Sequence, residues 1–158
     1  GLLLAVTTAD CVPVLLADRA AGVAAAVHAG WRGAVAGVVE ATVAAMVELG
    51  AEPARLVVAI GPCIRRHAYE VDAPLRTRVL AVTPAADEWF APGLRPERWQ
   101  FDLPGYVASL FRAAGAFRID DLGLDTLHNA TIYFSHRRSK QSGEVGYGVQ
   151  LSGIRVPV

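Results

Sequence analysis

Short runs of aliphatic and β-branched residues dominate the first thirty positions and predict three buried strands. The runs cover residues 2–7, 12–17 and 23–27, and each has the length of a typical strand. Residues 18–21, followed by Gly22, have turn composition between the second and third runs. The pattern therefore predicts a β-hairpin near the beginning of the chain.

Beyond Gly33 the apolar positions take a helical spacing, which predicts a helix with Gly50 as its C-terminal cap. The apolar stripe consists of Val35, Val38, Val39, Thr42, Val43, Met46 and Val47. Two further helices are predicted at residues 73–82 and 103–114, with Gly115 ending the second. Later strands are predicted at 56–60, 132–134 and 149–156, and loops at 89–99 and 139–146. Because no repeat or linker divides the chain, we expect one domain over residues 1–158.

Composition narrows the class of ligand. Hydrophobic residues make up 53% of the 158 positions, and 15 basic residues balance 15 acidic ones. Proteins that bind nucleic acids or membrane surfaces through bulk electrostatics concentrate positive charge. The equal numbers of basic and acidic residues argue against binding to nucleic acids or membrane surfaces and favour a small, locally recognised ligand.

Cysteine content and the first residues indicate the compartment. Two cysteines are too few for a disulfide framework, which favours a reducing compartment and therefore the cytoplasm. Thr7, Thr8, Asp10 and Pro13 interrupt the apolar start before it reaches the length of a membrane span. Since Gly1 lies in mid-strand, we expect that upstream sequence is absent from this chain.

The predicted hairpin brings a thiol close to an imidazole. If residues 18–21 form the loop, Cys11 lies directly opposite His28, with Cβ atoms roughly 4.5 to 5.5 Å apart. Side chains at that separation can bind one zinc ion, whose bonds to sulfur and nitrogen are about 2.3 and 2.1 Å long. The alternatives are a small buried hydrophobic cysteine and a hydrogen-bonded structural histidine.

Three arginines are candidate anion ligands. Arg32, in "HAGWRG", is predicted at a helix entry, where an anion such as phosphate is favoured, although the run also suits a tight turn with a packed indole. Arg137 and Arg138, in "FSHRR", offer donors for a phosphate or a ribose, or form an exposed basic face. Cys63 is predicted either to line the cleft or to be a buried structural thiol, with equal weight. His67 is predicted to be exposed to solvent.

Four blocks in order, "TADCVPVLLAD", "VHAGWRG", "AIGPCI" with "YEV", and "FSHRR", resemble the laccase-domain, or polyphenol oxidase-like, family of the YfiH type. The resemblance covers residues 5–155. It implies an α+β fold of mixed, largely antiparallel sheets flanked by helices. It also implies zinc-dependent phosphorolysis of purine nucleosides such as adenosine, inosine and methylthioadenosine, with adenosine deaminase side activity.

The resemblance further implies a zinc ion bound by one cysteine and two histidines. Cys11 and His28 match the cysteine and the second histidine, whereas nothing here matches the Gln-x-His-Gly motif of the first. We therefore expect the third ligand upstream of this chain. Asp10 is the candidate for proton transfer or for supporting a ligand, and Tyr147 lies near the position expected for a family arginine.

Three alternative functions remain. A copper-dependent polyphenol oxidase is disfavoured because the chain has four histidines and no His-x-His pair. A hydrolase would use Cys11 as nucleophile and His28 as base. The third alternative is a non-catalytic binding module.

Overall fold

The computed structural model describes residues 1–156, which form nine strands and five α-helices. The strands are β1 Leu3–Thr8, β2 Val12–Asp18, β3 Val23–Ala29, β4 Val57–Ile60, β5 Glu70–Asp72, β6 Phe90–Pro92, β7 Arg98–Phe101, β8 Arg118–Asp121 and β9 Gln150–Arg155. The helices are α1 Trp31–Val35, α2 Val38–Glu48, α3 Ala73–Val82, α4 Leu103–Ala113 and α5 His136–Ser142. Short 3-10 turns lie at Pro53–Arg55, Arg66–Ala68 and Pro84–Trp89.

The strands make three sheets of mixed but mostly antiparallel pairing. The largest has the order β3-β2-β4-β8, and its β4–β8 pair is parallel. Antiparallel pairs form the β1–β9 ribbon and the small β5-β7-β6 sheet. The predicted α+β architecture in a single domain is confirmed.

The register of the β2–β3 hairpin differs from the prediction by one loop position. Pro13, not Cys11, lies opposite His28, and Asp18 pairs with Val23 as the last strand residues. The loop is therefore 19–22 rather than 18–21, because the Asp18 carboxylate accepts hydrogen bonds from the turn N–H groups of Ala20 and Ala21. Asp18 thus belongs to the strand and caps the turn.

The helix predicted beyond Gly33 is interrupted. It begins at Trp31, stops at Val35 and resumes at Val38, because Gly37 adopts a left-handed φ of 86° that no helix contains. From Val38 onward the predicted apolar stripe is buried only in part, since Val39, Val43 and Met46 are buried and Val47 is exposed. Gly50 follows the helix with a φ of 97°.

The remaining predictions have mixed outcomes. The helix at 73–82 is confirmed at both ends, and the helix from Leu103 ends one residue early, at Ala113. The strand predicted at 132–134 is wrong, since these residues form turn and irregular structure. The loop predicted at 89–99 contains β6 and the beginning of β7, and the loop predicted at 139–146 contains most of α5.

Aromatic residues of β6, β7 and α4 form one end of the core. Phe90 stacks on Phe101 with ring centroids 4.3 Å apart, and Tyr106 and Phe111 of α4 are fully buried. Burying each such side chain contributes roughly 1.5 to 3 kcal/mol. Leu103, at the beginning of α4, reaches from this end of the core to the lining of the cleft described below. None of the helices within residues 1–156 is both long and apolar enough to cross a membrane.

Candidate functional site

A cleft of about 590 Å³ lies where β1 ends, β2 begins and β3 ends. Pockets for small ligands commonly fall in this size range. Its polar and aromatic lining residues come from distant parts of the chain: Thr7, Thr8, Asp10, Cys11, His28, Trp31, Arg32, Tyr69, His136, Arg137 and Tyr147. The sequence predicted a metal, phosphate or proton-transfer role for six residues. The cleft contains five of them, and Arg138 is the exception.

Cys11 and His28 both line the cleft, although they are not the directly opposed pair that the sequence predicted. Cys11 lies in the bend before β2, two residues before Pro13, which is the residue opposite His28. Both approach Gly30: a Cβ built there would lie 2.8 Å from the Cys11 Sγ and 4.0 Å from the His28 Nε2. The missing side chain of Gly30 leaves a small space between a thiol and an imidazole.

Burial governs the protonation of the Cys11 thiol. Desolvation raises the pKa of Cys11 above its usual value, the Asp10 carboxylate raises it further, and Arg32 opposes both effects. A raised pKa keeps the thiol protonated near neutral pH. A bound cation reverses this preference, because metal ligation replaces the thiol proton.

Asp10 connects four segments of the chain. It is buried and has a left-handed φ of 84°, a conformation rare for residues other than glycine. Its carboxylate accepts hydrogen bonds from the Thr126 hydroxyl at 2.6 Å, the Ser135 hydroxyl at 3.0 Å and the Arg137 N–H at 2.6 Å. Its carbonyl accepts from the Ile64 N–H at 2.9 Å. With its carboxylate bound this way, Asp10 is suited to positioning its neighbours.

Two guanidinium groups line the cleft, each against an aromatic ring. The Arg32 guanidinium lies 4.7 Å from the centre of the Trp31 ring, and that of Arg137 lies 5.3 Å from the centre of the Tyr69 ring. Arg137 also donates to the Glu70 carbonyl at 3.0 Å. These contacts orient both cations without neutralising them, so they can attract an anion.

Arg138 is placed differently from its neighbour. Its guanidinium donates to the carbonyl oxygens of Thr126, Leu127 and Tyr133 at 2.6 to 2.9 Å, and it is absent from the cleft lining. These three bonds hold the 126–133 loop against α5.

Sequence reasoning did not assign roles to the remaining polar groups of the cleft. Tyr69 stands in the "YEV" block, and burial raises its pKa to about 12, so the phenol stays neutral. His136 and Tyr147 meet edge to face, with ring centroids 4.9 Å apart. The buried Thr8 hydroxyl has no hydrogen-bond partner among the described residues. A polar ligand in the cleft would supply one.

The two weaker candidates lie outside the cleft lining. Cys63 is fully buried in the core, and burial raises its pKa to about 12. Of the two roles predicted for it, a thiol in a cleft and a structural thiol, this environment fits the structural one. His67 is exposed, as predicted, although its ring stacks on that of His128.

Comparison with known sequences gives a consistent result. Residues 1–155 match the family model described as "Multi-copper polyphenol oxidoreductase laccase". A purine nucleoside phosphorylase of Streptomyces coelicolor is 46% identical over 151 residues, covering 93% of this chain and 59% of that protein. One of Pseudomonas aeruginosa is 36% identical over 143 residues, covering 90% and 58%. The chain thus spans less than two thirds of the length of these relatives.

Solved structures show the same architecture. A Neisseria meningitidis protein assigned to DUF152 superposes with a TM-score of 0.82 at 32% identity, covering 94% of this chain and 59% of that one. The hypothetical protein YfiH of Bacillus licheniformis superposes with a TM-score of 0.84 at 28% identity, covering 97% and 58%.

Proposed function

Since the chain belongs to the family described as multi-copper polyphenol oxidoreductase laccase, and its curated relatives are named purine nucleoside phosphorylases, we propose that it contributes the central cleft of such a phosphorylase. The substrates in this proposal are a purine nucleoside, among them inosine, adenosine and methylthioadenosine, and inorganic phosphate. The observation that carries the proposal is one cleft containing a thiol–imidazole pair, two oriented arginines and aromatic walls.

In phosphorolysis, a phosphate oxygen forms a bond to C1′ of the ribose while the bond from C1′ to the purine nitrogen breaks. The bonding electron pair leaves with the purine, which then takes up a proton. The chain's contribution is to hold the dianion against the sugar, since orientation supplies much of the rate in such reactions. Arg32 and Arg137 are the groups proposed to hold the phosphate, and Asp10 positions Arg137 through its backbone N–H.

The Cys11–His28 pair fits a zinc ion. A thiolate and an imidazole are donors that zinc prefers, and the space above Gly30 lies close to both Sγ and Nε2. We propose zinc rather than copper there, with a third ligand, a histidine, contributed from outside this chain. When bound, zinc supplies a Lewis acid that stabilises developing negative charge, and it also underlies the proposed adenosine deaminase side activity.

The test is phosphate-dependent cleavage of inosine by the intact gene product. We expect ribose 1-phosphate as the product, and loss of activity in Cys11→Ala. Arg32→Gln should raise the KM for phosphate about tenfold or more, since hydrogen bonds to charged groups contribute about 1.5 to 3 kcal/mol. Arg19→Gln, in the exposed turn at the far end of the hairpin, is the matched control. Equal rates in Cys11→Ala and wild type, or free ribose formed equally fast without phosphate, would overturn the proposal.

We give the Cys/His hydrolase less weight than the phosphorylase. Nucleophilic cysteines have lowered pKa values, whereas burial raises that of Cys11. Labelling of Cys11 by iodoacetamide that zinc does not block would revive this alternative. Bound copper with a visible absorption band would revive the polyphenol oxidase. Nucleoside binding without turnover in the intact protein would favour the non-catalytic module.

A further inference from the structure

A second group of potential metal ligands lies outside the cleft lining. His67 lies in the 3-10 turn Arg66–Ala68, and Asp125 and His128 belong to the loop after β8. One potential ligand atom from each of the three side chains lies within 4.8 Å of the other two. The group therefore has the donor number and compactness of a three-ligand cation site.

Asp125 is held in place before any ligand binds. Its side chain is 9% exposed, and its two oxygens accept hydrogen bonds from the N–H groups of Leu127 at 3.1 Å, His128 at 3.3 Å and Arg65 at 3.4 Å. Among residues 1–156, its side-chain ion partners are the two imidazoles, because the nearby Arg65 guanidinium binds Asp121. The carboxylate is thus a fixed negative charge with no arginine or lysine partner in the described part of the chain.

The two imidazoles face the same carboxylate oxygen from solvent. Their rings stack 5.3 Å apart at 17°, and the side chains are 66% and 60% exposed. The His67 Nε2 lies 3.4 Å from the Asp125 Oδ2, close to the roughly 3.3 Å between two ligands of one tetrahedral zinc with bonds of about 2.0 to 2.1 Å. The His128 Nδ1 forms a short hydrogen bond with the same oxygen, so a bound cation would displace the bridging proton and lengthen the contact.

We propose that His67, Asp125 and His128 bind a divalent transition-metal ion such as zinc, at a site distinct from Cys11 and His28. Two imidazoles and one carboxylate suit zinc and its neighbours in the periodic table, and the exposed side leaves a position for water. The ion would join the segment after Cys63 to the loop after β8.

Both joined segments reach Asp10, at the floor of the cleft. The Ile64 N–H donates to the Asp10 carbonyl, and the Thr126 hydroxyl donates to its carboxylate. Binding at the second site therefore stabilises the floor of the cleft without entering it. This inference is independent of the reaction proposed above.

The test is titration of the intact, tag-free protein with Co²⁺ alone, followed by absorption spectroscopy. Co²⁺ bound by the Cys11 thiolate gives a sulfur-to-cobalt charge-transfer band. The measurement is therefore made on the Cys11→Ala variant, in which that site is removed and only the proposed second site remains. We expect this variant to bind one Co²⁺ without that band. Adding His67→Ala should weaken binding about tenfold or more, since even losing a group that supports a ligand costs 10- to 100-fold.

His136→Ala is the matched control, because it removes an exposed imidazole that lies in the cleft rather than in the proposed site. Circular dichroism checks that each variant is folded. Absence of Co²⁺ binding in the folded Cys11→Ala variant would overturn the proposal. So would binding that His136→Ala weakens and His67→Ala leaves unchanged. Co²⁺ binding can be measured even if the protein shows no phosphorolysis, because the binding experiment does not depend on turnover.

Discussion

At the scale of single residues, Gly30 determines whether Cys11 and His28 can share a ligand. A Cβ at this position would lie 2.8 Å from the Cys11 Sγ, which is closer than such atoms approach in proteins. The thiol would have to move away from the imidazole. Gly30 is therefore needed because it has no side chain to displace the Cys11 thiol, and not because its backbone conformation requires glycine.

We predict that Gly30→Ala lowers zinc affinity about 10- to 100-fold, as expected when the surroundings of a ligand are disturbed. Zinc affinity is measured by competition with a chelator on the intact protein carrying His67→Ala, so that the second proposed site does not contribute. Gly33→Ala is the control in the same segment, because a Cβ there makes ordinary contacts of 3.7 Å with its neighbours. Equal zinc affinity in Gly30→Ala and Gly33→Ala would show that the pair does not bind the ion.

At the scale of elements, Asp18 fastens the β2–β3 turn to the segment before β4. Its carboxylate accepts hydrogen bonds from the N–H groups of Ala20, Ala21 and Glu52, and it pairs with the Arg55 guanidinium at 2.8 Å. The hydrogen bond from Arg55 is the largest of the effects that hold the pKa of Asp18 well below its usual range. The contact therefore contributes stability above the unfolded-state pKa of about 3.9, and the contribution is lost as pH falls towards the folded-state pKa.

We predict that Asp18→Asn lowers the free energy of unfolding at pH 7 and that the difference from wild type shrinks below about pH 4. Urea denaturation at pH 7 and pH 3 measures both quantities. Asp120→Asn, at an exposed position of β8, is the control and should change neither. A deficit of equal size at both pH values would contradict the ionic origin of the contact.

Elements with a regular apolar pattern were predictable from sequence, and polar or very short ones were not. The helix Leu103–Ala113, which buries seven of its residues, was predicted to within one residue. The helix His136–Ser142 was missed because "HRRSKQS" has no apolar stripe, although its cap Ser135 and the left-handed Gly143 after it are readable signals. The strand Phe90–Pro92 was missed because a three-residue segment that ends in proline is too short to show the alternation of apolar and polar residues typical of a strand.

The same limit applies to the candidate site. Cys11 and His28 could be placed together from sequence because a hairpin is a local structure, and even there the register was off by one loop position. Tyr69, His136 and Tyr147 reach the cleft through tertiary contacts that no local pattern encodes.

At the scale of the whole molecule, Asp10 is the residue through which distant segments are joined. Its hydrogen bonds to Thr126, Ser135 and Arg137 span 116 to 127 positions of sequence. We predict that Asp10→Asn lowers the free energy of unfolding by about 1 to 3 kcal/mol, because the amide presents a donor to groups that themselves donate. Asparagine tolerates the left-handed backbone, so the variant changes charge and hydrogen bonding alone.

Asp10→Asn should also raise the KM for phosphate more than it lowers kcat, because Arg137 loses its anchor. Urea denaturation and inosine phosphorolysis give the two measurements. Asp87→Asn, an exposed acidic residue paired with Arg76, is the control. An unchanged free energy of unfolding would show that Asp10 does not join the segments.

The bond from the Arg137 N–H to Asp10 also sets an order of events during protein synthesis. Asp10 leaves the ribosome 127 residues before its partner, so Cys11 and His28 emerge long before the far wall of the cleft exists. When residues 1–30 alone have been synthesised, Tyr69, His136 and Tyr147, which line the rest of the cleft, are still missing. The cleft is therefore complete only after α5 has been translated and has docked, because His136 and Arg137 of this helix are part of its lining.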